Sequence, residues 1–343
     1  MRPNPDWPTR LLAWFAREGR ELPWREQRTA YTTWVSEVML QQTRVEAVRP
    51  YYAAWLHRFP TPAAVAAADE SEILHAWQGL GYYRRAQYLQ RAMREVVARY
   101  GGEIPADPDA LAALPGVGPY MLGAIRSLAF GEAVPAVDGN VLRVFARLYG
   151  IEDDVLRAST RTRVTALAQE VIPAEAPGAF NEALMDLGAT VCTPRTPRCA
   201  ACPLRDDCVA RKTGRETVLP RREKKTKQVI ERVAVAVIAD GGRYLLHRRS
   251  ATGMLANMWE FPSVTGTTLA EATARLCEAR GLSKPHHVYW RHRHIFTHRI
   301  WEMRAYRWET ALTPQADERW WTRAELLTIP LAGPHARLAA ILE

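Results

Sequence analysis

Four cysteines fall within seventeen residues, as Cys192, Cys199, Cys202 and Cys208, in the pattern C-x6-C-x2-C-x5-C. Thiols this close either oxidise in pairs or share a metal centre. The chain opens Met-Arg-Pro-Asn-Pro-Asp and lacks the apolar stretch of a signal peptide. No apolar run approaches the length of a membrane span. A cytosolic protein with no membrane partner is therefore expected, and disulfides are rare in a reducing compartment. That leaves incidental buried thiols or a metal centre, and the tight clustering favours metal. Spacing alone leaves structural zinc and a [4Fe–4S] cluster both open. Either would pin a short segment and present Arg195, Arg198 and Arg205 towards phosphates. Cys277 lies far away and reads as a packing residue.

The rest of the chain divides in two by pattern. Residues 1–210 read as helix after helix. Pro8 suits a first helical turn, with Leu11, Leu12 and Phe15 behind it. Tyr31, Trp34, Val35, Val38 and Met39 form an amphipathic stripe, and Val141, Val144, Phe145 and Leu148 form another. Residues 213–228 carry Arg221, Arg222, Lys224, Lys225 and Lys227 after Pro220, a basic linker expected to be solvated and extended. Beyond it, Val233–Ile238 and Tyr244–His247 read as strands around a Gly241-Gly242 turn. Residues 286–308 alternate aromatic and basic residues in strand fashion, and the tail from Arg323 to Leu342 returns to helical spacing. The expected fold is multidomain: an all-α domain over 1–212, a linker over 213–229, and a smaller α+β domain over 230–343.

The formal net charge of +9 suggests a polyanionic partner. Leu114-Pro-Gly-Val-Gly-Pro-Tyr120 sits between helical segments and offers it a foothold. Gly116 and Gly118 permit a tight turn and close approach of a backbone. The following helix supplies free N–H groups and the positive end of its dipole, a site for one DNA phosphate read without regard to sequence.

Leu114–Tyr120, followed eighteen residues later by Asp138, resembles the helix-hairpin-helix and catalytic aspartate of the endonuclease III superfamily of DNA glycosylases. Cysteine loops of this spacing mark its cluster-bearing members, so the resemblance favours [4Fe–4S] over zinc. Leu22-Pro-Trp-Arg25, Trp34–Arg44, Gly79-Leu-Gly-Tyr-Tyr83 and Phe180-Asn-Glu-Ala-Leu184 resemble the adenine DNA glycosylases, the MutY family, in particular. The resemblance spans most of residues 20–210. It implies a monomeric base-excision enzyme of the bacterial cytoplasm, acting on nucleoid DNA. Its substrate would be double-stranded DNA carrying adenine opposite 8-oxoguanine or guanine.

Cleaving an N-glycosidic bond requires protonation of the leaving base and stabilisation of a cationic sugar, which a pair of carboxylates can supply. Glu37 is expected on a helix of residues 31–43, beside the apolar stripe and on one flank with Gln41 and Arg44. Partial burial there would raise its pKa. By resemblance it protonates adenine N7. Asp138 reads as the N-cap of the helix carrying Val141 and Val144, which favours its anion. By resemblance it faces the sugar, with Asn140 helping to hold the site. Where bifunctional relatives carry a lysine nucleophile, this chain has Tyr120, which cannot form an imine. Hydrolysis without efficient strand cleavage is expected. Adenine must leave the stack to be reached. The resemblance implies Gln42 and Tyr82 as intruding residues and Trp24, Arg25 and Glu182 as the adenine pocket.

The C-terminal segment resembles a Nudix fold, through Gly253–Pro262 and the Trp320-Trp321 region. Residues 272–281 lack the paired glutamates of a metal-binding Nudix helix, so no nucleotide hydrolysis is expected. In the family this domain reads 8-oxoguanine through a Phe-Ser-His loop, which aligns with Phe296-Thr297-His298. Threonine keeps the hydroxyl but stiffens the side chain. Arg291, His292, Arg293, His294 and Arg299 favour a DNA-facing surface there. Three other readings conflict with particular residues: a pyrimidine glycosylase/lyase with Tyr120, a non-catalytic DNA scaffold with Glu37 and Asp138 together, and a nucleotide hydrolase with the degraded metal helix.

Overall fold

The computed structural model describes residues 3–223 and 228–342. Lys224, Lys225 and Lys227 of the expected linker lie outside the described residues. Contacts divide the chain into two compact units, Met1–Ala67 with Tyr88–Lys224, and Ala68–Gln87 with Lys225–Glu343. The helices up to the cysteine loop are α1 (Trp7–Glu18), α2 (Ala30–Leu40), α3 (Val45–Arg58), α4 (Pro62–Ala67), α5 (Glu70–Ala76), α6 (Arg84–Tyr100), α7 (Pro108–Ala112), α8 (Pro119–Ala129), α9 (Gly139–Tyr149), α10 (Ala158–Val171) and α11 (Pro177–Asp186). A short α12 (Val209–Lys212) follows that loop. No strand occurs among the described residues before Val229, and no helix of the described residues is long and apolar enough to cross a membrane.

The helical unit packs by the stripes visible in its sequence. Tyr31, Trp34, Val35, Val38 and Met39 of α2 are all buried, as are Val141, Val144, Phe145 and Leu148 of α9. Thr29 caps α2 through a reciprocal pair of bonds with Thr32. Asp138 caps α9, and Gly150 closes it in the left-handed conformation at φ 66°. Pro8 lies in the first turn of α1, whose Trp7 and Leu11 are buried. The Trp7 ring meets Phe145 edge-on at 5.9 Å and Phe180 at 5.5 Å, joining α1, α9 and α11 into one core.

Two local expectations change. Helix α2 ends at Leu40 instead of continuing to residue 43, so Gln41 and Arg44 do not share a helical flank with Glu37. Gln42 takes φ +59°, a left-handed turn that breaks the helix, and Arg44 becomes the N-cap residue of α3. The described part of the basic stretch is not simply solvated. Leu219 is buried, its carbonyl accepts from Arg147, and the Arg221 carbonyl accepts from the Val155 N–H.

The second unit is built on a seven-stranded sheet: β1 (Val229–Asp240), β2 (Arg243–Arg248), β3 (Trp259–Glu260), β4 (Ser263–Gly266), β5 (Trp290–Ile295), β6 (Arg299–Glu309) and β7 (Glu318–Thr322). Its remaining helices are α13 (Leu269–Arg280), α14 (Arg323–Leu326) and α15 (Gly333–Ala339). The order β3-β2-β1-β6-β5 places β1 centrally, parallel to β6 and antiparallel to β2. The unbroken apolar run of β1 follows from burial on both faces. Val233, Val235 and Val237 join a core with Phe261, Trp301 and Leu338, while Ala234, Ala236 and Ile238 pack with Ala272 and Leu276 of α13. Gly241 and Gly242, at φ 56° and 76°, make the expected hairpin turn. Arg280, at the end of α13, pairs with the buried Glu318.

Phe145 is fully buried where α1, α9 and α11 meet. Phe145→Ala should destabilise the helical unit by about 3–5 kcal/mol, measured as a lower denaturant midpoint by far-ultraviolet circular dichroism. A midpoint within error of the wild type would contradict this packing.

Candidate active site and cysteine loop

Helices α2, α8, α9 and α11 bring the sequence-predicted residues to one cleft of about 740 Å³ in the helical unit. Trp24, Arg25, Glu37, Gln42, Tyr120, Asp138, Asn140 and Glu182 all line it. Gly116 and Gly118 belong to the α7–α8 turn and do not line the cleft. Gly116 sits at φ +82°, where a Cβ would also press on Tyr88 at 3.0 Å. Gly118 precedes α8 with open space around it and no side-chain cap, which leaves backbone amides free for a ligand.

Glu37 is 5% exposed, well beyond the partial burial expected. Its Oε2 accepts a hydrogen bond from the Tyr120 hydroxyl, which also lies 3.9 Å from the Met185 sulfur. Burial pushes the Glu37 carboxyl up to about 7. The Tyr120 bond opposes this, and the charges of Glu182 and Asp138 reinforce it. Burial also pushes the Tyr120 phenol well above its ordinary range, with Glu37 adding to the effect.

Asp138 has a different environment. Its Oδ1 accepts from the backbone N–H groups of Asn140 and Val141, each at 2.8 Å, and its Oδ2 from the Asn140 side-chain amide at 2.7 Å. Burial still pushes its pKa upward, against the pull of these donors. Three fixed N–H groups favour the anion, whereas Glu37 has one hydroxyl donor. Two nearby carboxyl groups thus sit in unlike surroundings.

The adenine-pocket candidates form an ion-pair ladder. Arg25 Nε and Arg28 Nη2 both donate to Glu182 Oε1, at 2.8 and 2.7 Å. Asp186, fully buried, accepts from Arg25 and from the Arg20 backbone and guanidinium. Burial raises the Asp186 pKa, but the Arg20 and Arg25 bonds outweigh it and hold the carboxylate below its usual range. Arg20, Arg28 and Asp186 were missed from sequence. Their spacing carries no motif beyond Leu22–Arg25, and only the approach of α11 reveals the pairing.

The four cysteines line one cavity with the charged residues Arg147, Arg205, Arg211 and Glu216. Arg143 and Arg147, one turn apart on α9, are both buried and reach the same loop. Arg147 donates to the Cys192 sulfur at 3.2 Å and to the carbonyls of Cys192, Thr193, Pro194 and Leu219. Arg143 donates to the carbonyls of Cys192 and Gly188 and to the Asn140 side chain. Neither guanidinium meets a carboxylate among the described residues. Two buried cations beside four thiols fit an anionic thiolate-held centre, a charge that a four-thiolate zinc site and an iron–sulfur cluster share. Gly188 completes this support, since a Cβ there would stand 2.6 Å from that of Asn140. A continuous chain of bonds therefore runs from Asp138 through Asn140 and Arg143 to Cys192.

In the other unit, Tyr82 adopts φ +49°, and its hydroxyl shares a hydrogen bond with that of Thr297. Thr297 and His298 are exposed and Phe296 half-buried, in the turn between β5 and β6. The two residues expected to intrude into DNA, Gln42 and Tyr82, are both non-glycine residues with left-handed backbones, a strained state common at functional positions.

Removing Arg143 takes the donor from the buried Gly188 carbonyl and from the Asn140 amide oxygen, and one of two donors from the Cys192 carbonyl. Arg143→Gln should destabilise the helical unit by at least about 2 kcal/mol and lower iron bound per chain, measured by denaturation and iron assay. Arg163→Gln, at an exposed ion pair, should change neither. Equal behaviour of the two variants would contradict the linkage.

Residues 35–174 match the family model of the HhH-GPD superfamily base excision DNA repair protein. Residues 192–208 match the iron-sulfur binding domain of endonuclease III, and residues 233–340 a NUDIX domain. An adenine DNA glycosylase from Homo sapiens is 38% identical over 309 residues, covering 74% of this chain and 57% of that one. The chain thus spans little more than half of the human relative's length. One from Schizosaccharomyces pombe is 30% identical over 360 residues, with 84% and 78% covered. One from Mycolicibacterium smegmatis is 43% identical over 202 residues, with 57% and 67% covered. Among solved structures, a thermostable thymine-DNA glycosylase superposes with a TM-score of 0.55 at 28% identity, over 60% of this chain and 95% of the other. A trapped endonuclease III–DNA covalent intermediate gives 0.52 at 27%, over 60% and 94%. With its helical glycosylase fold, cysteine loop and C-terminal Nudix-like sheet, the chain belongs to the adenine DNA glycosylase (MutY) family.

Proposed function

We propose that this chain hydrolyses the N-glycosidic bond of adenine placed opposite 8-oxoguanine, and opposite guanine, in double-stranded DNA. The observation that carries the reading is the unlike pair of carboxyl groups in one cleft: Glu37, buried with a single hydroxyl donor, and Asp138, capped by three N–H groups. Glu37 donates its proton to adenine N7. The bond between C1′ and N9 breaks, its electron pair leaves on the base, and Asp138 faces the sugar cation. Water adds to C1′ and returns a proton to Glu37. Asn140 holds Asp138, and Tyr120 orients Glu37.

Arg25, Glu182 and Trp24 receive the extruded base, whose release from the stack Gln42 and Tyr82 assist. Gly116 and Gly118 grip a phosphate. Phe296, Thr297 and His298 read the opposite base. Oxidation turns guanine N7 from acceptor to donor, a handle that guanine lacks. Cys192, Cys199, Cys202 and Cys208 would hold a [4Fe–4S] cluster, which would supply a rigid, charged core for the loop and take no part in the steps above. Tyr120 cannot form an imine, so the enzyme is monofunctional and leaves an abasic site. We assign catalysis to residues 1–212 and reading to 230–343, joined by 213–229, in a monomer acting in the bacterial cytoplasm.

Duplexes carrying adenine opposite 8-oxoguanine, guanine, thymine or cytosine, followed by alkali, test the reaction. Cleavage at adenine in the first two is expected. Glu37→Gln should bind the same DNA and lower base release by at least about a hundredfold, the contribution of a general acid. Release from all four duplexes, or undiminished release by the variant, would contradict the proposal.

The pH dependence has a definite sign. Glu37 must enter protonated, and its carboxyl titrates at about 7. Single-turnover release should fall about tenfold per pH unit above that value, as the acid form is depleted, and should be level below it down to the range in which Asp138 itself takes up a proton. A rate that stays flat well above neutrality would remove Glu37 as the acid.

A further inference from the structure

The turn Phe296-Thr297-His298 is held from outside itself. All three of its carbonyls accept hydrogen bonds from two neighbouring residues at the start of the sheet. The Gln228 side-chain amide donates to Phe296 O at 2.7 Å and to Thr297 O at 3.4 Å. The Val229 N–H donates to His298 O at 3.2 Å. Across its own base the turn is closed by a bond from the Phe296 N–H to the Arg299 carbonyl at 2.9 Å.

The aromatic seat of the turn is fixed from the same strand. The Phe296 ring is held edge-on between His294, at 4.4 Å, and Trp301, at 4.9 Å. Trp301 is buried, and a buried indole N–H requires an acceptor. Glu231 supplies it, with Oε2 accepting from Trp301 Nε1 at 2.7 Å and Oε1 from Arg299 Nη1 at 2.8 Å. One carboxylate thus ties together the residue after the turn and the ring beneath it. The parallel register of β1 and β6 places Val229 beside Arg299 and Glu231 beside Trp301, so both clamps act across adjacent positions.

We propose that Gln228 and Glu231 are positioning residues for the turn that reads the base opposite adenine, and that they set the preference for 8-oxoguanine over guanine. This rests on the reading of Phe296, Thr297 and His298 given above. The two bases differ at their recognised edge by one donor and one oxygen. Telling them apart depends on hydrogen-bond distance and angle, which a loosely held turn averages away. Thr297 and His298 are exposed and do not anchor themselves by burial. Gln228 fits because its amide offers two N–H donors without charge, and a carboxylate in its place would repel the carbonyls it faces.

The test is single-turnover adenine release by the full chain from duplexes with 8-oxoguanine or guanine opposite adenine. Gln228→Ala should lower the ratio of the two rates about fivefold, the effect of one ordinary hydrogen bond, and Glu231→Ala by at least as much. Glu231→Gln retains an acceptor for Trp301 and should recover part of the loss. The rate opposite guanine should stay at the wild-type value in each variant. Gln228→Ala should also keep the wild-type melting temperature, whereas Glu231→Ala, which leaves the buried Trp301 N–H without its acceptor, should lower it. A wild-type preference that survives both alanine variants overturns the proposal alone. So does a parallel fall of both rates with the melting temperature, which marks a merely structural role. Wild-type protein that releases adenine equally from both duplexes overturns the reading of the turn, and this proposal with it.

Discussion

The burial of Glu37 is the constraint around which the helical unit is arranged. A carboxyl group taken out of water resists ionisation, and among the described residues its one hydrogen-bond donor is the Tyr120 hydroxyl. The same helix that carries it presents Trp34, Val35 and Val38 to the core, so the acid cannot turn outward without dismantling α2. The cleft also contains a second carboxyl group, Asp138, with the opposite endowment of three N–H donors. General acid chemistry beside a developing cation needs this asymmetry, and identical surroundings for the two groups would not provide it.

Helix α9 ties that asymmetry to the cysteine loop. Its N-cap is Asp138, its first turn contributes Asn140, and its buried face adds Arg143 and Arg147. Asn140 and Arg143 are one turn apart, so the amide that holds Asp138 is itself held by the guanidinium that binds Cys192. The loop is therefore coupled to the cleft through side chains of α9. Disturbing its backbone at Cys192 would be transmitted through two hydrogen-bonded side chains to the carboxylate that faces the sugar in the proposed reaction. The π-helical segment Leu187–Val191 leads from α11 into Cys192 and brings Gly188 against Asn140, which only a residue without Cβ allows.

Much of this was legible in the sequence because it depends on periodicity or on rare residue types. The stripes of α2 and α9, the glycines of the α7–α8 turn, the run of β1 and the cysteine spacing each force a local outcome. What was not legible depends on contacts between distant segments. Arg143 and Arg147 read as ordinary helix charges, and their burial follows from the path of residues 188–194. The end of α2 at Leu40 could not be seen in Gln41-Gln42-Thr43, since no glycine marks the left-handed turn. Likewise, nothing in residues 68–87 signals that they group with the C-terminal sheet, where Gln78 accepts from the Leu331 N–H and Glu70 from the Asn257 amide. The grip of Gln228 and Glu231 on the 296–298 turn requires the parallel register of β1 and β6, which only the folded sheet supplies.

The central claim is that burial keeps the Glu37 carboxyl protonated in mildly acid solution and up to about neutrality, where it begins to ionise. Infrared difference spectroscopy of wild-type protein against Glu37→Gln reads this directly, since a neutral carboxyl group has its own C=O stretch. The account predicts such a band in the wild type at mildly acid pH, absent from the variant, fading as the pH passes about 7. A wild-type spectrum with no carboxylic acid band assignable to Glu37 at mildly acid pH would contradict it.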